Sequence, residues 1–257
     1  MQPPISTHGL LRYPGGKTRA IKQLLPFFPA TPDRLVSPFF GGGSLELALT
    51  AKGWRVHGYD LFQPLVDFWQ VALTDAPSLA DAVMKYLPLE KRMFHSLQKT
   101  RFPTKLERAA AFFVLNRSSF SGSTMSGGMS PGHERFSESA IQRLRNFRAV
   151  NLWVERADFR KSIPNHPNDL LFLDPPYVTA KCLYGRRGHL HQGFDHEALA
   201  DLLRHHNRWL LCYDDCDQVR SMYDGFTIVP LTWKYGMSSD KHGRELLILS
   251  HDLAAGS

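Results

Sequence analysis

Short apolar runs that alternate with helix-forming segments limit the folds open to this chain. The runs are rich in branched and aromatic residues, as is typical of buried strands. Segments with helix formers or helical leucine spacing lie between them, most clearly at residues 44–49 and 195–206. This alternation predicts a doubly wound, mostly parallel α/β sheet. The strand-like runs lie at residues 35–39, 54–59, 151–154, 170–173, 209–213, 227–229 and 245–249.

Residues 75–149 break this alternation. A buried helix is predicted at residues 109–115, and residues 119–132 are rich in Ser, Gly and Met, which is typical of a loop. Arginine and lysine are frequent throughout the segment. We therefore predict a sheet domain made of residues 1–74 and 150–257, interrupted by a helical, basic insertion that recognises the substrate.

The charge of the chain favours a polyanionic partner. Its 257 residues carry a formal net charge of +7, which suits contact with nucleic-acid phosphates. No apolar run is long enough to cross a membrane, and the N-terminus lacks the pattern of a secretory signal. Cys182, Cys212 and Cys216 form no CxxC pair, which argues against a disulfide framework or a closed zinc site. We expect a cytoplasmic protein.

Asp174-Pro175-Pro176-Tyr177 follows the apolar run at residues 170–173 directly. In open α/β sheets, ligands bind at the carboxyl ends of the strands. The Asp174 carboxylate can accept a hydrogen bond from an exocyclic amine, Tyr177 can stack on a flat ring, and the prolines fix the backbone carbonyls between them. The motif therefore predicts a site that holds a nucleobase by its amine.

A glycine-rich turn follows the first predicted strand. Phe39 precedes Gly41, Gly42 and Gly43, and such glycines let the backbone approach a ligand closely. The third glycine of the dinucleotide fingerprint is missing, which disfavours a nicotinamide oxidoreductase. Asp60 ends the second predicted strand, where an acidic side chain can bind the hydroxyls of a ribose. The turn and this acid together predict a nucleoside-containing cofactor.

The order of the motifs resembles a known family. Residues 13–17 (Tyr-Pro-Gly-Gly-Lys), 38–43 (Pro-Phe-Phe-Gly-Gly-Gly), 115–117 (Leu-Asn-Arg) and 174–177 (Asp-Pro-Pro-Tyr) are similar, with Asp60, to those of Dam-type (D12 class) adenine-N6 DNA methyltransferases. The segments at residues 194–199 and 238–247 extend the resemblance over most of the chain. It implies a Rossmann-like methyltransferase fold, S-adenosylmethionine as cofactor, double-stranded DNA as partner and no metal.

The resemblance also assigns roles to residues. Asp174, the Pro175 carbonyl and Tyr177 would hold an adenine flipped out of the duplex, so that positioning and electrostatics supply most of the catalysis. The insertion would be the target-recognition domain. Independently of the resemblance, Lys181, Arg186, Arg187 and the glycines of residues 178–193 leave three interpretations open, which are a lid, a DNA-contacting loop and a disordered segment with no role in the site. The residues implied to bind the cofactor are Tyr13, Lys17, Phe39, Gly41, Gly43, Asp60, Asp158 and Asp174.

A hairpin that enters DNA is implied by Asn116, Arg117, Phe120 and Ser121. Phe120 is placed to insert between bases and fill the gap left by the flipped one. Ser121 stands where enzymes that recognise GATC carry Asn, and no arginine occurs at residues 123–129 to read a guanine. We therefore expect a recognition site other than GATC.

Other functions stay open at this point. The motif at Asp174 can hold the amine of cytosine as well as that of adenine, although the motif order favours adenine. An RNA adenine methyltransferase is disfavoured because no separate RNA-binding module is visible. A DNA-binding protein without catalysis would have no need of Asp174 and Tyr177. A cognate restriction endonuclease is a possible functional partner.

Overall fold

A computed structural model describes residues 9–13, 16–120, 124, 128–130, 135–179, 193–234 and 242–254. Its centre is a sheet formed by β1 (Arg34–Ser37), β2 (Arg55–Asp60), β3 (Leu152–Arg156), β4 (Leu170–Leu173), β5 (Trp209–Asp214), β6 (Thr227–Lys234) and β7 (His242–Leu249). The strand order is β3-β2-β1-β4-β5-β7-β6. The neighbouring strands β3, β2, β1, β4 and β5 run parallel to one another, whereas β7 is antiparallel to both β5 and β6. The predicted mostly parallel sheet is confirmed.

Some of the helices begin at a residue whose side chain caps the first turn. The Asp195 carboxylate accepts the Ala198 N–H at 2.9 Å, at the start of the helical segment predicted at residues 195–206. Thr104 and Glu107 form a capping box at the start of the long buried helix of the insertion. The helices are α1 (Ile21–Leu24), α2 (Ser44–Thr50), α3 (Gln63–Met84), α4 (Lys91–Lys99), α5 (Lys105–Ser118), α6 (Glu138–Arg145), α7 (Phe159–Ser162), α8 (His196–Arg204), α9 (Asp217–Met222) and α10 (His251–Ala254).

Two hydrophobic cores lie on opposite faces of the sheet. Leu35 belongs to the core that also contains Phe68 and Phe113, whereas its neighbour Val36 belongs to the core that contains Leu199. Successive side chains of a strand point to opposite faces, so each face of β1 is covered by helices. This arrangement confirms the doubly wound fold.

The carboxyl ends of the parallel strands meet at one edge. β1 pairs with both β2 and β4, so the chain leaves β1 at the point where the strand order reverses. Such a reversal opens a crevice between the loops that follow the two central strands. The glycine-rich turn, Asp60 and the Asp174 motif all follow strands that end here.

The insertion packs on the same core as the sheet. α5 lies against α3, and the rings of Phe68 and Phe113 stack with centroids 5.7 Å apart. The Arg108 Nε atom donates to Asp67 Oδ2 at 2.6 Å and ties the two helices together. α3 bends at Asp75, whose φ of −149° is not helical and which lies at the predicted boundary of the insertion. The division into 1–74 with 150–257 and 75–149 stays a prediction.

Candidate active site

A cavity opens at the carboxyl ends of β1, β2 and β4. Phe159, Arg160, Phe194 and Asp195 line it, although the sequence assigned none of them to a binding site. The cavity also brings together the residues that the sequence did assign to a cofactor, namely Tyr13, Lys17, Phe39, Gly41, Gly43, Asp60, Asp158 and Asp174.

The turn after β1 needs its glycines for two reasons. Gly41 and Gly43 have φ values of +51° and +62°, in the left-handed region that favours glycine. Neighbouring rings also leave no room for side chains, since a Cβ atom on Gly43 would lie 2.7 Å from Phe40 Cζ, and one on Gly42 would lie 2.8 Å from the Tyr13 Cβ atom. The bare backbone of this turn therefore forms one wall of the cavity.

Asp60 is held rigidly at the end of β2. The Gly41 N–H donates to its Oδ2 atom at 3.0 Å, and the Phe62 N–H donates to its Oδ1 atom at 2.9 Å. Burial raises the pKa of Asp60, and these two backbone donors counteract the shift. Each carboxylate oxygen can accept a further hydrogen bond, so Asp60 is suited to bind a pair of hydroxyl groups.

Three phenylalanines form an aromatic cluster in the cavity. The ring centroids of Phe39, Phe159 and Phe194 lie 5.3–5.7 Å apart in every pair. The Arg160 guanidinium lies 4.6 Å above the Phe159 ring. Such a cluster offers apolar ring faces and edges to a planar ligand such as a purine.

Asp158 has a local structural role beside this cluster. Its side chain caps α7 by accepting the Arg160 N–H at 2.8 Å, while Arg160 also pairs with Asp195 at 3.0 Å. The sequence predicted only Phe39 and Asp158 in this part of the cavity. It missed Phe159 and Phe194 because their rings meet only after α7 and α8 pack against each other.

Lys17 is buried at the end of the cavity near β4. Its Nζ atom lies 2.6 Å from Asp174 Oδ1 and 2.9 Å from the Tyr177 hydroxyl. Its distance to Glu245 Oε2 is 3.5 Å, and the Tyr177 hydroxyl donates to the same Glu245 oxygen at 2.6 Å. The sequence missed Glu245, although a glutamate beside an apolar strand segment is the signal that could have found it. Two carboxylates, an ammonium group and a phenol thus meet in one place.

The charges of this group depend on one another. Burial alone would lower the pKa of Lys17, but Asp174 and Glu245 outweigh that effect and hold the pKa above its ordinary value. Burial raises the pKa of Asp174, and Lys17 limits the shift. Burial and the two carboxylates raise the pKa of Tyr177 well above its ordinary value. Tyr177 is therefore a neutral hydrogen-bond donor at physiological pH.

Glu46 is a further buried carboxyl group beside the cavity. It lies on α2, is 3% exposed and accepts a hydrogen bond from the Ser37 hydroxyl at 2.7 Å. Burial raises the pKa of Glu46 to about 7, although the hydrogen bond from Ser37 favours the charged form. Its charge therefore changes near neutral pH.

The residues expected to touch DNA lie at the end of α5. Asn116 is fully buried, and its side-chain amide pairs with the backbone of Arg12, with both hydrogen bonds at 2.8 Å. Asn116 therefore lies behind the surface and fastens the N-terminal segment to α5. Phe120, by contrast, is 64% exposed, and its N–H donates to the Gly128 carbonyl at 2.9 Å. Ser121 lies outside the described residues.

Arg117 lies in a group of arginines near the end of α5. Burial and the nearby charges of Arg143, Arg12 and Arg135 lower the pKa of Arg117 to about 10. The Arg117 Nε atom donates to the Arg135 carbonyl at 2.8 Å. Mutual repulsion of this kind favours an anion in contact with the group.

The described residues contain no group of three or more His, Cys, Asp or Glu side chains that could hold a metal ion. Among these same residues, no helix combines the length and apolar character that a membrane span requires.

Comparisons with known proteins point to one family. A model of the D12 class N6 adenine-specific DNA methyltransferases matches residues 13–237. The type II methyltransferase M.CviBI of Paramecium bursaria Chlorella virus NC1A is 20% identical over 254 residues, which cover 92% of this chain and 95% of that protein. The DNA N-6-adenine-methyltransferase of Escherichia phage P1 is 24% identical over 245 residues, which cover 86% of this chain but only 32% of that longer protein.

Among solved structures, the delta-N METTL16 MTase domain covers 91% of this chain, and 81% of that domain is covered in turn. The match has a TM-score of 0.41 and 9% sequence identity.

Proposed function

Because the chain belongs to the D12 class of N6 adenine-specific DNA methyltransferases, we propose that it transfers a methyl group from S-adenosylmethionine to the N6 amine of an adenine flipped out of double-stranded DNA. One observation carries the proposal. A single cavity connects Asp60 and the aromatic cluster, which suit a nucleoside, to Asp174, which suits an exocyclic amine.

The cofactor would lie along the glycine turn. Asp60 would accept the two ribose hydroxyls, and Phe39, Phe159 and Phe194 would surround the adenine ring. The fit rests on the rigid orientation of the Asp60 carboxylate and on the apolar faces of the three rings. When bound, the cofactor supplies an electrophilic methyl group on a sulfonium.

Asp174 and its neighbours would act on the target amine. The lone pair of an aromatic amine is delocalised into the ring, so the nitrogen is a poor nucleophile. Hydrogen bonds from the amine to Asp174 and to the Pro175 carbonyl would localise that lone pair. Burial raises the pKa of Asp174, which suits a group that accepts the surplus amine proton once the nitrogen–carbon bond has formed. Tyr177 would stack on the base.

DNA would contact the end of α5. The arginine group around Arg117 would bind backbone phosphates, and the exposed ring of Phe120 would fill the space of the flipped base. Ser121 would contact the bases beside Phe120. Asn116 would not touch DNA itself but would hold the end of α5 in place through its hydrogen bonds with the backbone of Arg12. The helical insertion, residues 75–149, would be the target-recognition domain, and the site it recognises would differ from GATC.

The relatives support a proposal about the cellular setting of the protein. One relative is named a type II methyltransferase, and the two come from a virus and a phage. We propose a cytoplasmic protein of a bacterial cell, and the viral and phage sources of the relatives support a gene carried by a phage or other mobile element. A cognate restriction endonuclease would be a functional partner.

Methyl transfer to plasmid DNA tests the function directly. Labelled S-adenosylmethionine is supplied, the DNA is digested to nucleosides, and the products are identified by mass spectrometry. We expect N6-methyladenine from the wild type and none from Asp174→Ala, which should still bind cofactor through Asp60 and the aromatic cluster. N4-methylcytosine would overturn the base assignment, and normal turnover by the variant would overturn the mechanism. Sequencing the methylated plasmid would then identify the recognition site.

A further inference from the structure

The ammonium group of Lys17 is bound to the Asp174 carboxylate, which the proposed mechanism needs as a hydrogen-bond acceptor. Its Nζ atom lies 2.6 Å from Asp174 Oδ1, so a target amine that approaches Asp174 meets an ammonium group already bound there. A cation in contact with a carboxylate draws its electron density and weakens it as a hydrogen-bond acceptor. Lys17 also places positive charge close to the centre that the cofactor would enter with a sulfonium. Methyl transfer would therefore be faster with Lys17 further from Asp174.

Burial prevents Lys17 from leaving both carboxylates. Its side chain is 4% exposed, and an ammonium group without a counter-ion is strongly disfavoured in such surroundings. Any movement away from Asp174 therefore requires a second anion within reach.

Glu245 meets this requirement. Its Oε2 atom lies 3.5 Å from Lys17 Nζ, so a shift of the ammonium by about one ångström would bring the two into hydrogen-bond contact. Glu245 lies on β7, opposite Asp214 of β5, and is 2% exposed. It also accepts the Tyr177 hydroxyl at 2.6 Å, which fixes its orientation toward Lys17. A carboxylate buried this deeply is costly unless it has such partners.

We propose that Glu245 is a positioning residue that receives Lys17 when the amine of the target base binds Asp174. The inference rests on the proposed function and deepens it. The Tyr177 hydroxyl contacts both Lys17 and Glu245, so it keeps the aromatic ring in place while the ammonium moves between the two carboxylates. The positive charge stays paired throughout, and Asp174 becomes free to accept the amine.

Glu245→Gln isolates the charge of this residue. The glutamine carbonyl can still accept the Tyr177 hydroxyl, but it cannot pair with Lys17 as an ion. We expect the single-turnover rate on plasmid DNA to fall roughly tenfold or more, with KM for DNA and the dissociation constant of S-adenosylmethionine changed by less than about threefold. Glu245→Asp, which keeps the charge, should retain more of the rate than Glu245→Gln.

A double-mutant cycle separates the proposal from a structural role. In a Lys17→Gln background, Glu245→Gln should cause no further loss of rate, because there is no ammonium left to receive. Additive losses would overturn the proposal. A rate of Glu245→Gln within about twofold of the wild-type rate would also overturn it. So would a third outcome, in which Glu245→Gln and Tyr177→Phe lose the same fraction of the rate and the double variant loses no more than either, because Glu245 would then act only through Tyr177.

Two controls keep the test interpretable. Thermal unfolding checks that each variant is folded, and if Glu245→Gln is not, the same cycle is measured with Glu245→Asp. Absence of transfer by the wild type would overturn the proposed function itself, whereas an active wild type with additive variants overturns only the role of Glu245.

Discussion

Single residues at the cavity are defined by their surroundings more than by their type. Asp60, Asp174 and Glu46 are all carboxyl groups at or beside one cavity, yet their partners are backbone N–H groups, an ammonium group and a hydroxyl, respectively. Different partners shift the protonation and orientation of each group differently. The same functional group, a carboxyl, thereby has three different local environments.

Asp60→Asn should weaken cofactor binding. An amide replaces one acceptor oxygen by a donor, so the hydrogen bonds proposed for the ribose hydroxyls cannot both form. A hydrogen bond to a charged group contributes about 1.5–3 kcal/mol, so the dissociation constant of S-adenosylmethionine should rise roughly tenfold to a hundredfold. Isothermal titration calorimetry measures this constant. The matched control is Asp33→Asn, at a half-exposed carboxylate outside the cavity, and equal affinities of the two variants would contradict the prediction.

Glu46 should make stability depend on pH in the opposite sense to most carboxylates. Burial raises the pKa of Glu46 from 4.5 to about 7, so the folded state binds a proton more tightly than the unfolded state. Below the pKa that Glu46 has in the unfolded state, the group has no effect on stability. As the pH rises from that pKa to the higher pKa of the folded state, the group becomes destabilising. Glu46→Gln should therefore gain stability relative to the wild type, by on the order of 2 kcal/mol more at pH 8.5 than at pH 5.5.

Urea unfolding of the wild type and Glu46→Gln at the two pH values tests this expectation. The quantity of interest is the difference between the two proteins at each pH, which cancels the titration of all other groups. A difference that does not change with pH would show that Glu46 keeps an ordinary pKa.

At the scale of elements, α5 and β7 each contribute residues to the proposed functional site. α5 carries Arg117 and ends at Ser118, two residues before Phe120, and Asn116 binds this end to the N-terminal segment that also contributes Lys17. The antiparallel strand β7 contributes Glu245 from the other side. Asn116 therefore links the end of α5, which we propose contacts DNA, to the N-terminal segment that carries Lys17.

Phe120→Ala should reduce methylation without affecting the fold. The ring is 64% exposed, so its removal costs little stability, whereas the proposed insertion into DNA would be lost. We expect the rate on plasmid DNA to fall roughly tenfold, with unchanged thermal unfolding and cofactor affinity. The matched control is Met93→Ala, at an apolar side chain 44% exposed on α4. Equal rates for both variants would exclude a wedge role for Phe120.

At the scale of the whole molecule, the insertion and the sheet behave as one hydrophobic unit. α3 extends from the sheet domain into the insertion, and α5 packs along it. The ion pair of Arg108 with Asp67, which is 1% exposed, fastens this contact. A shared core of this kind favours a single cooperative unfolding transition.

Arg108→Met should destabilise the whole protein. It leaves the Asp67 carboxylate buried without its ion-pair partner, and since Arg108 is itself 36% exposed we expect a loss of about 2–3 kcal/mol, toward the low end for a broken buried pair. Denaturant unfolding followed by far-UV circular dichroism should show one transition at lower denaturant. Asp67→Leu in the same chain should recover part of the loss. Two separate transitions would instead indicate that residues 75–149 fold independently.

Much of the architecture could be predicted from the sequence because strand and helix patterns are local. The predicted strand at residues 170–173 coincides with β4, and the others lie within a few residues of the observed elements. That the residues assigned to the cofactor line one cavity could be predicted too, because the glycine turn, Asp60 and Asp174 each lie at the end of a strand, and parallel strands end at the same edge. Their role in binding a cofactor stays a prediction.

Tertiary structure alone decided the remaining contacts of the site. Glu245 meets Lys17 and Tyr177 only because β7 inserts between β5 and β6, and no local pattern specifies that strand order. Phe159 and Phe194 form a cluster with Phe39 only where α7 meets α8. Asn116, assigned to DNA from its motif, is buried because the N-terminal segment folds over α5. Sequence patterns report local conformation and burial, whereas contacts between distant segments follow from how the whole sheet and its helices pack.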